Sequence, residues 1–550
     1  MSDRVLVSRG FDSRDVGGHL VNGDSRPSVA HAVAAIAAIA AVLAGVIWGT
    51  HVAGGPDSYC YLSQAEMFAS GHVSHSEPLA TLAPWKNGPN AFVPVGHVPA
   101  ARTAGASVPM CSPGYPLAMA LARLIGGRTA MFAIVPLCGA ATVWLAFVLA
   151  RRLGGDVAGA LAAVLMAASP AFLYQVVQPM SDVPAAASWA AALVAVSDRR
   201  FSTSRVAAFV AGLATGLAVL VRPNLAPLTM FVALAAFVPR PVAWRLIARD
   251  WVVFGLGVLP SVIVVALLQD EMYGGPLKSG YGNLGFLFRL DHVWPNLQRY
   301  PVWLLQTETP IVLLALATPW LAHDSLTRRR AIWLLTFVGA VFACYIPYEV
   351  FDAWWYLRFV LPAYPAMLAL TGSAVVWLLA RRPWPWQAAG FAIAALVVIL
   401  LVRESVERHA FGLWEFERRF QLAGEYVGSR LPANAIVFAA QESGSVRFYA
   451  GRPTIAWREL PPDALDGALA FARAHGYRPY FLIENGELQE FVAQFERQSA
   501  LGSLGWPARA DINHMVRLYD PDDFARYRAG EPVRTDRVWV KEKRALNRYF

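Results

Sequence analysis

The sequence predicts a mainly α-helical, polytopic membrane protein of about eleven spans, followed by a small α/β domain outside the membrane. Three observations carry this. Of 550 residues, 56% are hydrophobic and only 15% charged, and the mean hydropathy is +0.41, a balance that soluble domains do not show. The apolar residues gather into segments about 15–23 residues long, close to the roughly 20 that a helix needs to cross a bilayer core. Beyond residue 404 the composition changes abruptly to that of a soluble chain. Disordered, collagen-like, coiled-coil and small disulfide-scaffold classes are excluded. The net charge of +9 would suggest a nucleic-acid partner in a soluble protein. Here Lys and Arg sit mostly at helix ends and in the C-terminal part, so the expected partner is the bilayer and not nucleic acid.

Residues 1–27, with Arg4, Arg9, Arg14 and Arg26, read as a cytoplasmic tail. The apolar run over 29–48 is too long for a removable signal peptide and lacks a convincing cleavage site, so it is the first anchor. Spans are expected at 28–50, 129–150, 157–174, 183–197, 205–221, 224–238, 251–268, 303–321, 331–349, 358–380 and 386–402. Together they make a membrane domain over 28–404 with a long external loop, 51–128, and a second at 269–300. Residues 115–125 (YPLAMALARLI) are apolar but carry Arg123, are too short to span and end at Gly126-Gly127. They read as an interfacial helix. With that choice about seventeen Arg fall on one side of the membrane and about nine Lys and Arg on the other, over much longer loops. The positive-inside rule then places the N-terminus in the cytoplasm of a plasma (inner) membrane protein. An odd number of spans places residues 405–550 outside.

That C-terminal part begins with a charged helix over 414–427. Short apolar runs follow at 435–440, 454–457, 479–483 and 515–519, with helical patterns at 463–475 and 487–497, which predicts a small α/β unit. Gly444 and Gly451 have the wrong spacing for a nucleotide-binding fingerprint. A lid or acceptor-docking domain is the plain expectation.

With charge this scarce, ionisable groups at membrane depth need a reason. Asp57, Asp182, Arg222, Lys278, Asp352 and Arg358 all fall at the outer boundary in the eleven-span topology, as a single external site would require. Asp57 lies in GGPDSYCYLSQAEMFASG, where Tyr61, Ala65 and Phe68 share a helical face and Gly71 suits the C-cap. Two roles are open to it: N-cap of this helix, or a general base partly desolvated against the bilayer.

The first span followed by PDSYCYLSQAEMFASG, then CSPGYPLAMALARLIGG and a span ending ARRLGG, resembles the opening of the GT-C membrane glycosyltransferases, in particular the protein O-mannosyltransferases and lipid A aminoarabinose transferases. QPMSDVP, GLAVLVRPN and YLRFVLPAYP match further along and in order. The resemblance implies a sugar donor on a polyprenyl phosphate, action on the outer face, Asp57 as catalytic base and Arg358 on the donor phosphate. Several members carry a second acidic residue close to the first; here Ser58 and Tyr59 follow Asp57, and Glu66 comes only later, which argues against a bound metal.

These residue types suit the chemistry. An acceptor hydroxyl attacks the anomeric carbon, Asp57 takes its proton, and the leaving phosphate is held by guanidinium. One displacement implies inversion. Arg222 and Lys278 are further phosphate candidates, against the alternatives of a snorkelling Arg and a solvated Lys. Asp182 is expected to hold the sugar, to orient Arg222, or to N-cap its span. Tyr281, Tyr356 and the Trp354-Trp355 pair suit a sugar site, although interfacial aromatic belts have the same composition. Cys138 and Cys344 read as inert. Cys60 and Cys111 are a candidate disulfide in an external loop, worth roughly 4 kcal/mol in the chain-entropy relation. His72, His75 and Glu77 (HVSHSE) offer too few ligands for a closed metal site, and no cofactor is expected. The acceptor is left open between lipid, glycan and protein. The competing class is a multi-spanning transporter or flippase, which would place polar groups mid-membrane in broken helices; the sequence displays neither. A non-catalytic membrane scaffold is the third reading.

Overall fold

The computed structural model describes residues 29–197, 204–237 and 244–539. The N-terminal tail, Arg199, Arg200 and Arg240 lie outside the described residues. The membrane part runs α1 (Val29–Ile47), α2 (Gly55–Ala69), α3 (Gly114–Met131), α4 (Ile134–Gly154), α5 (Asp156–Ala168), α6 (Pro170–Val176), α7 (Asp182–Ser197) and α8 (Arg205–Val221). It continues with α9 (Leu228–Ala233), α10 (Trp244–Tyr273), α11 (Val293–Glu308), α12 (Leu314–Leu321) and α13 (Ser325–Tyr345). A 3₁₀ segment, Trp354–Ala363, leads into α14 (Tyr364–Ala380), and α15 (Trp384–Glu407) closes the set.

Helix covers most of each expected span except that at 224–238, which among its described residues holds only the six-residue α9 and short 3₁₀ turns. Five described helices are long and apolar enough to cross a membrane, and two bent pairs raise the number to seven. Helices α7 and α8 are apolar but shorter. The chain is a multi-pass membrane protein. Its packing logic is that of helices in lipid: α1 turns Ala34, Ala37, Ala41 and Ala44 inward and exposes Ile36, Ile39 and Leu43, because small residues allow close backbone approach where water exclusion gives no drive.

Two expected spans are broken. The segment expected over 157–174 bends by 61° between α5 and α6, and the one over 303–321 bends by 115° between α11 and α12. Each break falls at a residue preceding proline, Ser169-Pro170 and Thr309-Pro310, where the proline ring drives its predecessor out of the helical region. The two breaks meet: Ser169 accepts the Phe172 amide at 3.2 Å and donates to Glu308 Oε1 at 2.7 Å. The expectation of unbroken helices free of mid-membrane polar groups is therefore corrected here. The external loop expected at 269–300 is also shorter, since α10 runs on to Tyr273 and α11 starts at Val293.

Residues 115–125 are helical, and α3 loses helical geometry at Gly126 and at Gly127, whose φ is +75°. Leu121, Leu124 and Ile125 are exposed, as on a helix lying at an interface. Between α2 and α3 the loop forms a small antiparallel sheet of β1 (His75–Ser76), β2 (His97–Pro99) and β3 (Ala106–Pro109), in the order β1-β3-β2. Cys60 and Cys111 are disulfide-bonded, with Cα atoms 6.1 Å apart, and tie α2 to this loop.

The C-terminal unit starts with α16 (Leu413–Arg430). Its strands are β4 (Ala435–Ala439), β5 (Thr454–Ile455), β6 (Arg478–Glu484), β7 (Ala510–Ile512), β8 (Val516–Tyr519) and β9 (Asp536–Val538), ordered β5-β4-β6-β8-β7-β9. Strands β4, β5 and β6 run parallel and β8 is antiparallel to β6. Helices α17 (Leu465–Ala474), α18 (Leu488–Phe495) and α19 (Pro521–Arg528) complete the unit. It packs onto α2 and the loop between α2 and α3. Gly444 lies so close to Tyr59 that a Cβ there would sit 2.4 Å from the ring, which explains that glycine without a nucleotide. The Ala53 amide donates to Tyr449 Oη at 2.9 Å, the Val95 amide to Ser443 Oγ at 2.9 Å, and the Ala456 amide to the Ala91 carbonyl at 2.6 Å. Arg447 pairs with Glu77. The unit thus forms a roof over the loop between α2 and α3.

Candidate active site

Asp57 does not occupy the N-cap position of α2. Gly54 does, with no side-chain cap, while Pro56 and Asp57 lie in the first turn, where the helix dipole favours a carboxylate. Across the chain, the 3₁₀ segment Trp354–Ala363 delivers Arg358, whose Nη2 stands 2.8 Å from Asp57 Oδ2. Its guanidinium also lies over the rings of Tyr356, at 5.5 Å, and Phe359, at 5.1 Å, and its Nε has no hydrogen-bond partner.

A second pair stands beside the first. Arg222 ends α8 and Asp182 begins α7; Arg222 Nη2 and Asp182 Oδ1 are 2.5 Å apart and both side chains are buried. Arg222 Nη1 donates to Tyr345 Oη at 3.2 Å, and Asn224 Nδ2 to the same oxygen at 2.9 Å. Ser181 joins Tyr61 Oη, at 2.7 Å, to Arg222 Nε, at 3.4 Å. Phe359 lies under both cations, 5.9 Å from the Arg222 guanidinium. Of the alternatives for Asp182, the structure realises the pairing with Arg222. Burial, and then the charge of Asp57, hold the Tyr61 hydroxyl above its ordinary ionisation range.

Tyr281 reaches this cluster from the 274–289 loop. Although 44% exposed, its hydroxyl is pushed well above the ordinary range by burial and by Tyr61, Asp57 and Tyr348 around it. Lys278 is placed differently: it is exposed to solvent, and the cavity beside it is lined by its neighbours Leu277 and Ser279. Asp352 is also turned outward, 85% exposed and paired with Arg299. Glu77 pairs with Arg447 and accepts from Ser107 Oγ at 3.0 Å. Among the described residues no group of three or more His, Cys, Asp or Glu is arranged to hold a metal. Ser181, Tyr345, Asn224 and Phe359 were not singled out from the sequence, although three of them lay inside quoted motifs: Ser181 in QPMSDVP, Asn224 in GLAVLVRPN and Phe359 in YLRFVLPAYP.

Two cavities flank the cluster. One, of about 390 Å³, is lined by Arg222, Asn224, Tyr61 and Tyr345 at one end and by Val219, Val262, Val265, Leu268 and Leu284 along its walls. Val262, on α10, and Leu284, in the loop that follows it, are exposed, so the apolar wall of this cavity reaches the surface. The other, of about 1120 Å³, lies under the roof and is lined by Asp57, Arg358, Gln175 and Trp355 from below and by α16 residues, among them Trp414 and Glu417, from above. Burial, the largest influence, raises the Glu417 carboxyl above the ordinary carboxylate range, against the opposing charge of Arg419.

The site thus sits in a polytopic helical bundle, with its carboxylate on the helix that follows the first span and an α/β roof over the loop beyond it. Residues 109–268 match the family model described as dolichyl-phosphate-mannose-protein mannosyltransferase. The chain is similar in structure to the oligosaccharyltransferase of Archaeoglobus fulgidus in its apo form, with a TM-score of 0.57 at 15% identity over 84% of this chain and 71% of that one. ArnT of Cupriavidus metallidurans bound to undecaprenyl phosphate is similar with a TM-score of 0.53 at 14% identity, over 84% of this chain and 94% of that one. The archaeal enzyme in complex with an inhibitory peptide and a dolichol phosphate gives 0.52 at 13% identity, over 86% and 72%. No curated protein matches the chain by sequence. The expected resemblance to the GT-C superfamily holds at the level of the fold.

Proposed function

We propose that this protein is an integral membrane glycosyltransferase that moves a sugar from a polyprenyl-phosphate donor to an acceptor hydroxyl on the outer face, with inversion. The observation that carries the reading is the placement of two guanidinium groups, each beside a carboxylate, between an apolar-walled cavity that reaches the surface and a polar cavity under the roof. The apolar cavity suits a polyprenyl chain, and Arg222 at its end, with Arg358 next to it, suits the phosphate. ArnT carries undecaprenyl phosphate in its structure, which supports a lipid-phosphate ligand here.

The acceptor hydroxyl enters from the roof side. Asp57 accepts its proton as the oxygen attacks the anomeric carbon, and the bond from that carbon to the phosphate oxygen breaks. The negative charge left on the phosphate is met by Arg358 and Arg222. In the donor-free arrangement Arg358 pairs with Asp57 at 2.8 Å. Its free Nε gives it a further donor for a phosphate oxygen, so the cation can serve base and leaving group together. Tyr281 closes the cluster from above, where it can touch the sugar, and Lys278 is left to steer anionic headgroups from the surface.

The test is transfer of label from radiolabelled undecaprenyl-phosphate sugars to a membrane extract by the purified protein. The reading requires transfer from at least one donor, with an anomeric configuration opposite to the donor's. Retention would overturn the single displacement. A transporter or flippase is favoured by one observation, the facing helix breaks tied through Ser169 and Glu308, but neither residue lines either cavity. Lipid translocation in vesicles without any transfer would support that second reading.

A further inference from the structure

The cavity under the roof is far larger than one attacking hydroxyl requires, and the chemistry of its walls is specific. On the membrane side, Tyr174 lies 6.3 Å from Trp355, their rings inclined by 18°, with Trp354 edge-on to Tyr174 at 5.0 Å. Trp355 is 42% exposed. Next to this shelf Gln175 is 1% exposed, lines the cavity, and its Oε1 has no hydrogen-bond partner. On the roof side α16 contributes Trp414, Phe416 and Glu417. Phe416 is 47% exposed.

Resting on the glycosyl-transfer reading above, we propose that the acceptor is a neutral glycan, gripped between the Tyr174–Trp355 shelf of the membrane part and helix α16 of the roof. A sugar ring presents a flat C–H face that stacks on an aromatic ring, and hydroxyls at its edge that donate to amide and carboxylate oxygens. The shelf supplies the first, and Gln175 Oε1 and Glu417 supply the second. An unpartnered buried amide oxygen costs free energy unless a ligand completes it, and a glycan hydroxyl completes it without a charge. A hydrocarbon acceptor would need aliphatic walls, which here are confined to the donor-side cavity; Leu413 and Met180 are nearly the only aliphatic side chains under the roof. A peptide held by strand addition would need a free strand edge, and neither edge strand of the roof sheet, β5 or β9, lines the cavity. The arginines of this cavity already face carboxylates, Arg358 with Asp57 and Arg419 with Glu484 and Glu417, which favours a neutral acceptor over an anionic one.

The experiment is saturation-transfer NMR on the full chain in lipid nanodiscs, which avoid glycosidic detergents. The probes are maltotriose, an α-mannotriose and chitotriose, with an end-blocked Ser/Thr hexapeptide as competitor. At least one trisaccharide should bind, with Kd weakened at least tenfold by Trp355→Ala and by Gln175→Leu. Trp355→Phe, which keeps a ring, should stay within about threefold of wild type. Binding of the peptide, binding of no trisaccharide, or an unchanged Kd in Trp355→Ala would overturn the proposal. Binding of undecaprenyl phosphate is measured in parallel, with Arg222→Ala as its control. Trisaccharide bound without undecaprenyl phosphate would sink the transferase reading alone, and the reverse would sink the glycan inference alone.

Discussion

Asp182 is 1% exposed and its one strong partner is Arg222, so the two side chains stand or fall together. Arg222→Ala would leave a buried carboxylate uncompensated, at a cost of roughly 3–5 kcal/mol, and thermal unfolding should show the loss. The double variant Arg222→Met with Asp182→Leu should recover most of the stability yet bind no polyprenyl phosphate. Recovered lipid binding in that double variant would remove Arg222 from the phosphate site. At Arg358 the fork geometry matters: Arg358→Lys keeps a charge but loses bidentate contact, so KM for the donor should rise less than in Arg358→Ala. Equal activity of wild type and Arg358→Ala at limiting donor would contradict its assignment. Sequence marked Asp57, Asp182, Arg222 and Arg358 because charge is scarce near lipid. It could not pair Asp57 with a residue 301 positions away, nor bring in the neutral Tyr345, which no motif or charge distinguished. Lys278 illustrates the limit, for scarcity of charge flags a loop lysine as readily as one in a site.

Helices α8 and α10 cross on glycines. A Cβ at Gly257 would meet the Phe209 carbonyl at 2.3 Å, and one at Gly212 the Phe254 carbonyl at 2.1 Å. Gly257→Leu should therefore cost about 2 kcal/mol or more through overpacking and lower the unfolding temperature, whereas Gly255→Ala, with nothing within 4 Å, should not. Helix positions were legible because lipid demands long apolar runs. The breaks at Ser169 and Thr309 were written locally in the prolines that follow, but the surrounding apolar windows hid them. In the roof, β4, β5, β6 and β8 follow apolar runs of the sequence. Strands β7 and β9 are three residues each, too short to carry a period-two pattern, and their pairing depends on β8. The Cys60–Cys111 bridge closes a separation of 51 residues. Cys60→Ser should destabilise the external loop by roughly 4 kcal/mol in the chain-entropy relation, read as faster proteolysis of the loop.

For the whole molecule, the proposed function requires the roof to stay seated on the membrane part. Gly444→Val would drive a side chain into Tyr59, and should open the polar cavity and abolish transfer while the membrane helices remain folded. Retained transfer would mean the roof is dispensable. The roof carries a pH dependence of its own. Glu442 is fully buried, and burial, followed by the charge of Glu484, holds its carboxyl well above the ordinary range. The folded state then keeps a proton that the unfolded state releases, so this contribution to stability is complete at acid pH and falls as pH rises above the ordinary carboxylate range. Glu442→Gln should flatten that fall in thermal unfolding followed against pH.

The most direct measurement is glycosyl transfer from radiolabelled undecaprenyl-phosphate sugars by the wild type and by a folded Asp57→Asn protein that keeps the helix turn but has no basic oxygen. Transfer by the wild type with a loss of at least a hundredfold in Asp57→Asn, undecaprenyl phosphate binding being intact, is the predicted result. Transfer that survives the substitution would contradict Asp57 as the base, and absence of transfer from every donor would contradict the glycosyltransferase itself.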